Sequence, residues 1–263
     1  LGTAQATLTK FPYLRKIWNK NTEEERLLGV SLTGIMDNPL TNGKKHGLEK
    51  TLQQLREVAV ETNKEWSAIF GIPQSTAITC VKPSGTVSQL VDSSSGIHPR
   101  HSSYYIRTVR GDNKDPLTNF MVDSGIPSEA DFMKPDTQTV FSFPMKSPKN
   151  SVVRNDMTAI EQLEMWLLYQ RHWCEHKPSV TVSVRDEEWM EVGAFVFKHF
   201  DEMSGVSFLP HSDHTYQQAP YQDCTEAVYN DFSSKFGHID WNKFTDYEKE
   251  DNTKSSQTFA CSG

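Results

Sequence analysis

The sequence has no apolar run near the roughly 20 residues that a membrane span needs, and no basic-then-apolar leader. It reads as a soluble, cytoplasmic chain. Basic residues are outnumbered, 27 Lys and Arg against 34 Asp and Glu, for a formal charge of −7. A nucleic-acid polymer is thereby disfavoured as a partner, because counterion release needs clustered cations. A small anion is not, since a local pocket can oppose the global sign. There are four cysteines, Cys80, Cys174, Cys224 and Cys261, none in a C-x-x-C pair. This excludes a standard zinc knuckle and gives little support to a secreted disulfide framework. The spacing of a Walker loop is missing, and so is any internal repeat.

What is present suffices for a large core. The 263 residues allow one domain or two, and 11% aromatic content argues against disorder. Thr22-Glu23-Glu24-Glu25 has capping-box spacing and predicts a helix opening there. Leu28 to Ile35 is short, apolar and bounded by turn residues, which predicts a buried strand. Leu48, Leu52, Leu55, Ala59, Trp66 and Phe70 follow three- and four-residue steps and predict an amphipathic helix over 48–70. Further strands are predicted at 75–81, 104–110, 139–144, 179–184 and 205–209, and helices at 156–173 and 187–203. Strands separated by helices imply an α/β fold with a largely parallel sheet or barrel. Tyr104, Tyr105, Trp166, Trp189 and Phe195 are assigned to the core. From about Thr245 the sequence turns polar, which predicts a mobile tail over 245–263.

The segment 75–88 carries the most chemistry. A strand delivers the chain into Lys82-Pro83-Ser84-Gly85-Thr86-Val87-Ser88, and Gln89-Leu90-Val91 can begin a helix. Glycine permits positive φ and close backbone approach, hydroxyls add donors, and exposed amides at a helix start favour anions. Proline fixes the entry to the turn. This is a reasonable phosphate cradle, although the same residues also make an ordinary surface turn.

The run from Thr79 to Ser88, followed by Ser93-Ser94-Ser95-Gly96-Ile97-His98-Pro99, strongly resembles the adenosylcobalamin-dependent ribonucleoside-triphosphate reductases. Leu28 to Ile35, Trp173 to Thr181 and Gly205 to Pro210 resemble the same family, in the same order along nearly the whole chain. The resemblance implies the C-terminal part of a ten-stranded α/β barrel over residues 1–244. It also implies that Pro83, Ser84, Gly85, Thr86 and Val87 form a loop whose amides hold substrate phosphates, with Ser88 as a further hydroxyl. Adenosylcobalamin is the implied cofactor, a ribonucleoside triphosphate the substrate and a thioredoxin-like protein the reductant. The implied reaction replaces the ribose 2′-hydroxyl by hydrogen. Cobalamin contacts are expected around 93–150 and 205–245.

In that family cobalt–carbon homolysis generates a thiyl radical on a cysteine in an Asn-Pro-Cys-Gly-Glu type motif. No such motif occurs here, and none of the four cysteines is followed by Gly-Glu. The expectation is a chain that binds nucleotide but does not reduce it alone, needing the N-terminal remainder of the enzyme. Leu1 at the start and Cys261-Ser262-Gly263 at the end fit a piece of something longer. Cys261, in the polar tail, is read as the first member of a truncated redox pair, with a spare terminal thiol as the alternative. Rival readings are a large subunit served by a separate radical-generating protein and a non-catalytic split-gene piece needing an N-terminal partner. An unrelated phosphate-binding hydrolase has only the loop in its favour.

Two other groups carry metal-ligand side chains. His211-Ser212-Asp213-His214 lacks helical spacing or a second supporting cluster, and His172, Glu175 and His176 sit at a helix end. Both are read as satisfied polar residues. His98, Arg100 and His101 form a small basic cluster after the loop, suited to a triphosphate or to solvent.

Overall fold

A computed structural model describes residues 1–211 and 216–248. In chain order its helices are α1 (Gly2–Gln5), α2 (Lys16–Glu25), α3 (Leu48–Phe70), α4 (Val87–Leu90), α5 (Pro116–Asp123), α6 (Ala159–His172), α7 (Trp189–His199) and α8 (Glu226–Ser234). The strands are β1 (Val30–Ser31), β2 (Thr79–Cys80), β3 (Tyr104–Asp112), β4 (Ser128–Ala130), β5 (Gln138–Lys146), β6 (Val180–Val184), β7 (Val206–Pro210) and β8 (Tyr221–Asp223). The chain forms two compact units, 1–100 with 148–211, and 101–147 with the described residues from 216 onward. Nothing in the patterning of the sequence marks this division.

The first unit is built on two parallel strand pairs. β1 pairs β2 with Val30 opposite Thr79, and β6 pairs β7 from Val180 opposite Val206 to Val184 opposite Pro210. Parallel neighbours need a long crossover, and α3 and α7 lie in those crossovers. The Ser179 amide donates to the Val81 carbonyl (3.4 Å), tying the entry of β6 to the exit of β2. Leu52, Leu163, Trp166 and Val182 are fully buried in the core that these strands share with α3 and α6. α6 opens on a capping box: Thr158 Oγ1 accepts from the Glu161 amide (3.2 Å), and Glu161 Oε2 from the Thr158 amide (2.8 Å). Trp166 Nε1 donates to the Pro178 carbonyl (3.0 Å), so its ring is buried with no orphan donor.

Several expectations need correction in this unit. α3 spans the predicted range, yet of the predicted stripe Leu55, Trp66 and Phe70 are exposed, and the buried line runs from Leu48 and Leu52 to Asn63 and Ser67. Asn63 Nδ2 donates to Thr3 Oγ1 (3.1 Å) and Ser75 Oγ (3.0 Å), and its Oδ1 accepts from the Ser75 amide (3.0 Å). A satisfied amide holds a core position that a hydrophobic count skips. Thr22 opens no helix; it lies inside α2 with its hydroxyl turned back on the Trp18 carbonyl (2.8 Å), the habit of mid-helix threonine. The predicted strand at 28–35 pairs only over Val30–Ser31, before a 3-10 turn at Ile35–Asp37. Tyr105, in the second unit, and Trp166 are core residues as expected, but Trp189 is exposed.

The second unit is a four-stranded sheet in the order β4-β5-β3-β8, every pair antiparallel. The expectation of a largely parallel sheet does not hold here. Period-two alternation marks a strand but carries no information on its direction. Phe120 of α5 is buried and ringed by Trp241, Phe244 and Tyr247 at 5.4, 5.7 and 5.5 Å between centroids. Tyr247, inside the predicted tail, is thus still packed. Residues 249–263, including Cys261, lie outside the described residues, as do Ser212, Asp213 and His214. Among the described residues no helix is long and apolar enough to cross a membrane.

Candidate phosphate-binding site

The strand leading into the loop is clamped. Thr79 Oγ1 donates to the Trp173 carbonyl (2.6 Å), Trp173 Nε1 to the Cys80 carbonyl (2.7 Å), and the Ile78 and Thr79 amides to Glu175 Oε2 (2.9 and 3.3 Å). The Lys82 amide then donates to Ser31 Oγ (3.0 Å) on the neighbouring strand. Beyond it the chain turns through Pro83 to Thr86 into α4. Ser88 is buried: its amide donates to Ser84 Oγ (3.1 Å) and its hydroxyl to the Ser84 carbonyl. Ser88 therefore closes the turn from inside, while Pro83, Gly85, Thr86 and Val87 are exposed and Ser84 is half-buried.

Among the described residues the amides of Gly85, Thr86 and Val87 have no protein acceptor. Three consecutive free donors on an exposed turn are the kind of group that can bind an anion. α4 has four residues, so its macrodipole is small and the cradle depends on local amides. Gly85 does not adopt positive φ, and a Cβ placed on it would meet nothing within 4 Å. Its lack of a side chain leaves open ground over the backbone and is not demanded by the turn. Beside the loop lies a pocket of about 320 Å³ lined by Leu28, Gly29, Cys80, Lys82, Pro83 and Lys177, among others. Its volume falls within the range of small-molecule sites, roughly 300–1,000 Å³. Lys177 and Gly29 are far from the loop in sequence, and no local signal links them to it.

The basic cluster expected at 98–101 does not exist as such. His98 is half-buried; its Nδ1 donates to the Ser95 carbonyl (2.9 Å) and its Nε2 accepts from the Thr181 amide (3.0 Å), while loss of solvent around the ring holds its pKa below the ordinary value. Arg100 is paired with Asp37 and Asp92 (2.8 and 2.9 Å), and His101, in the second unit, with Asp223 (3.0 Å). His172 bonds Gln53 (3.0 Å) and His176 the Leu28 carbonyl (2.6 Å), and among the described residues no cluster could hold a metal ion. Burial pushes the Cys174 thiol up to about 12, with Cys80 nearby adding to the effect, and raises Cys80 and Cys224 as well. None of these three is an activated thiolate.

No family model matches the chain. Curated relatives do. It is 31% identical to a probable adenosylcobalamin-dependent ribonucleoside-triphosphate reductase of Dictyostelium discoideum, over 89% of this chain and 31% of that protein. It is 28% identical to the corresponding reductase of Euglena gracilis, over 86% of this chain and 31% of the relative. A solved B12-dependent (class II) ribonucleotide reductase superimposes with a TM-score of 0.80 at 25% identity, over 93% of this chain and 38% of that one. This chain has the fold of part of a class II ribonucleotide reductase. It spans about a third of the length of the curated relatives it matches. The α/β expectation therefore holds, and the antiparallel second unit belongs to the same matched fold.

In the second unit a pocket of about 890 Å³ is lined by Phe120, Asp123, Asp240, Lys243, Asp246 and Tyr247, among others. Tyr247 donates to Asp123 Oδ2 (3.0 Å), which raises the phenol's pKa.

Proposed function

We propose that this chain supplies the substrate-phosphate loop of a cytoplasmic, adenosylcobalamin-dependent ribonucleoside-triphosphate reductase. The observation that carries the proposal is the run of free amides at Gly85, Thr86 and Val87, in a chain whose relatives bear that enzyme's name. The three amides donate to the triphosphate oxygens, charge-assisted bonds that are shorter and stronger than neutral ones. The Ser84 hydroxyl and that of Thr86 are further donors. Ser88 holds the turn closed, and the adjoining pocket, with Lys82 and Lys177, receives the part of the nucleotide next to the phosphates.

The cofactor's donor set fits the second unit. A corrin is fringed with amide side chains, and Asp123, Asp240 and Asp246 around the larger pocket are acceptors for such donors. Those residues would hold its rim; Asp123 and Asp240 fall within the stretches 93–150 and 205–245, and Asp246 directly follows the second. Adenosylcobalamin, when bound, supplies the radical that starts the reaction. The radical-bearing cysteine belongs to an N-terminal remainder, so this chain alone binds nucleotide without reducing it. As the first member of a redox cysteine pair, Cys261 takes part in the dithiol–disulfide exchange that brings two electrons from a thioredoxin-like partner.

Calorimetric titration of the chain with a ribonucleoside triphosphate and with the matching nucleoside tests the loop. Triphosphate should bind with an affinity that falls as salt rises, and the nucleoside should bind far more weakly. Equal affinity for the two would remove the loop from the substrate site.

A further inference from the structure

We infer that Arg100 is the positioning residue that fixes the shape of the phosphate loop, an inference that rests on the phosphate-binding proposal for that loop. Arg100 is 4% exposed and lies outside the loop. Its Nε and Nη2 donate to Asp37 Oδ1 and Oδ2 (2.9 and 2.8 Å), a two-pronged grip on the 3-10 turn Ile35–Asp37. Its Nη1 donates to Asp92 Oδ1 (2.9 Å) and its Nη2 also to the Asp92 carbonyl (2.6 Å). One guanidinium thus grips both segments at once, which a lysine's single ammonium cannot do with the same geometry.

Asp92 follows Val91, the C-cap of α4. Its amide donates to the Gln89 carbonyl (3.1 Å), and it sits at φ 47°, a conformation that side chains rarely adopt. From there the chain doubles back under the loop. The Ser93 amide donates to the Ser88 carbonyl (2.8 Å), and Ser94 is fixed through its amide to Asp37 Oδ2 (2.7 Å). Gly96, at φ 52°, lies so close that a Cβ there would stand 2.9 Å from the Lys82 carbonyl oxygen. Segment 92–96 therefore touches both ends of the loop, Lys82 and Ser88, and Arg100 locks its Asp92 end to the Ile35–Asp37 turn, alongside the Gly34 amide on the Ser94 carbonyl (2.8 Å) and the Met36 amide on Ser94 Oγ (3.2 Å). With the ends held, the turn that carries the free amides of Gly85, Thr86 and Val87 keeps its shape before any ligand arrives.

The test uses the full chain, hydrogen exchange without ligand, and titration with inorganic tripolyphosphate. Arg100→Lys keeps the charge but loses the fork. Asp92→Gly is the second variant, because loss of a buried guanidinium can unfold a protein; glycine accepts φ 47° and the Asp92 side chain is 61% exposed. Both should speed exchange at the hydrogen-bonded amides of Ser88 and Ser93 by about tenfold or more, with α6 and β6 unchanged. Both should weaken tripolyphosphate by about tenfold or more. Unaltered loop exchange, or a uniform increase across the unit, would overturn the assignment and leave Arg100 as general scaffold. If the wild-type chain itself fails to bind tripolyphosphate, the phosphate-binding proposal falls, while the exchange data still decide whether Arg100 shapes the loop.

Discussion

Replacing Gly85 by alanine separates a glycine needed for folding from one needed for a ligand. A Cβ at Gly85 meets nothing within 4 Å, and the residue is not at positive φ. Alanine should then fit the native backbone and restrict the unfolded chain, raising stability by up to about 1 kcal/mol. Binding should move the opposite way. The methyl group stands over ground that is open only because the residue is glycine, and it keeps a phosphate from close contact with at least one amide. A hydrogen bond to a charged group contributes roughly 1.5–3 kcal/mol, so tripolyphosphate affinity should drop by about ten- to a hundredfold. Urea unfolding followed by fluorescence measures the first quantity, and isothermal titration the second. A stability loss above about 1 kcal/mol would mean that the glycine serves the turn and that the reasoning from its conformation is wrong. Unchanged affinity would mean that no ligand approaches the backbone at this residue.

Three further outcomes follow from buried or half-buried groups. His98 has a lowered pKa because burial penalises its charged form; its contribution to stability is therefore complete above the unfolded value near 6.5 and is lost as pH falls from there through the folded pKa, so urea midpoints should decline over that acidic interval, and a His98→Gln variant should show a smaller decline. Leu163 is fully buried between α6 and its neighbours, and Leu163→Ala should cost about 2–5 kcal/mol in chemical denaturation; a cost under about 1 kcal/mol would argue against the packing described. The Cys174 thiol, pushed up to about 12 by burial, should resist alkylation at pH 8 in the native chain and react on unfolding, and mass mapping of the labelled cysteine decides this.

What could be read from the sequence was what is written contiguously. The helix over 48–70, the strands near 180–184 and 206–210, and the strand–turn–helix around Lys82 to Leu90 each declare themselves within one continuous segment. Direction was not legible, because β3 and β5 alternate alike whether parallel or antiparallel, and the split into two units followed no shift in composition. The stripe on α3 was misread beyond Leu52 because the core there is lined by hydrogen-bonded Asn63 and by Ser67. Trp66 and Phe70 share that face by spacing but are exposed.

The candidate site divides along the same line. Its donors were legible because they are adjacent amides in one short turn, but the groups that hold the turn are not near it in sequence. Asp37 stands 63 residues from Arg100, and Glu175, which fixes the strand entering the loop, stands 96 from Thr79. No periodicity connects such pairs; they are set by where the parallel strands and their crossovers bring the chain back. The same long-range placement makes the loop suitable for an anion. A free four-residue turn would have to lose backbone entropy of about 1–2 kcal/mol per residue on closing around a phosphate. Here the clamp at Thr79, the Lys82 bond to Ser31 and the Arg100 fork hold the segments on either side of the turn in the folded chain. The amides can then be left without partners at modest cost, because they remain in water until a ligand replaces it.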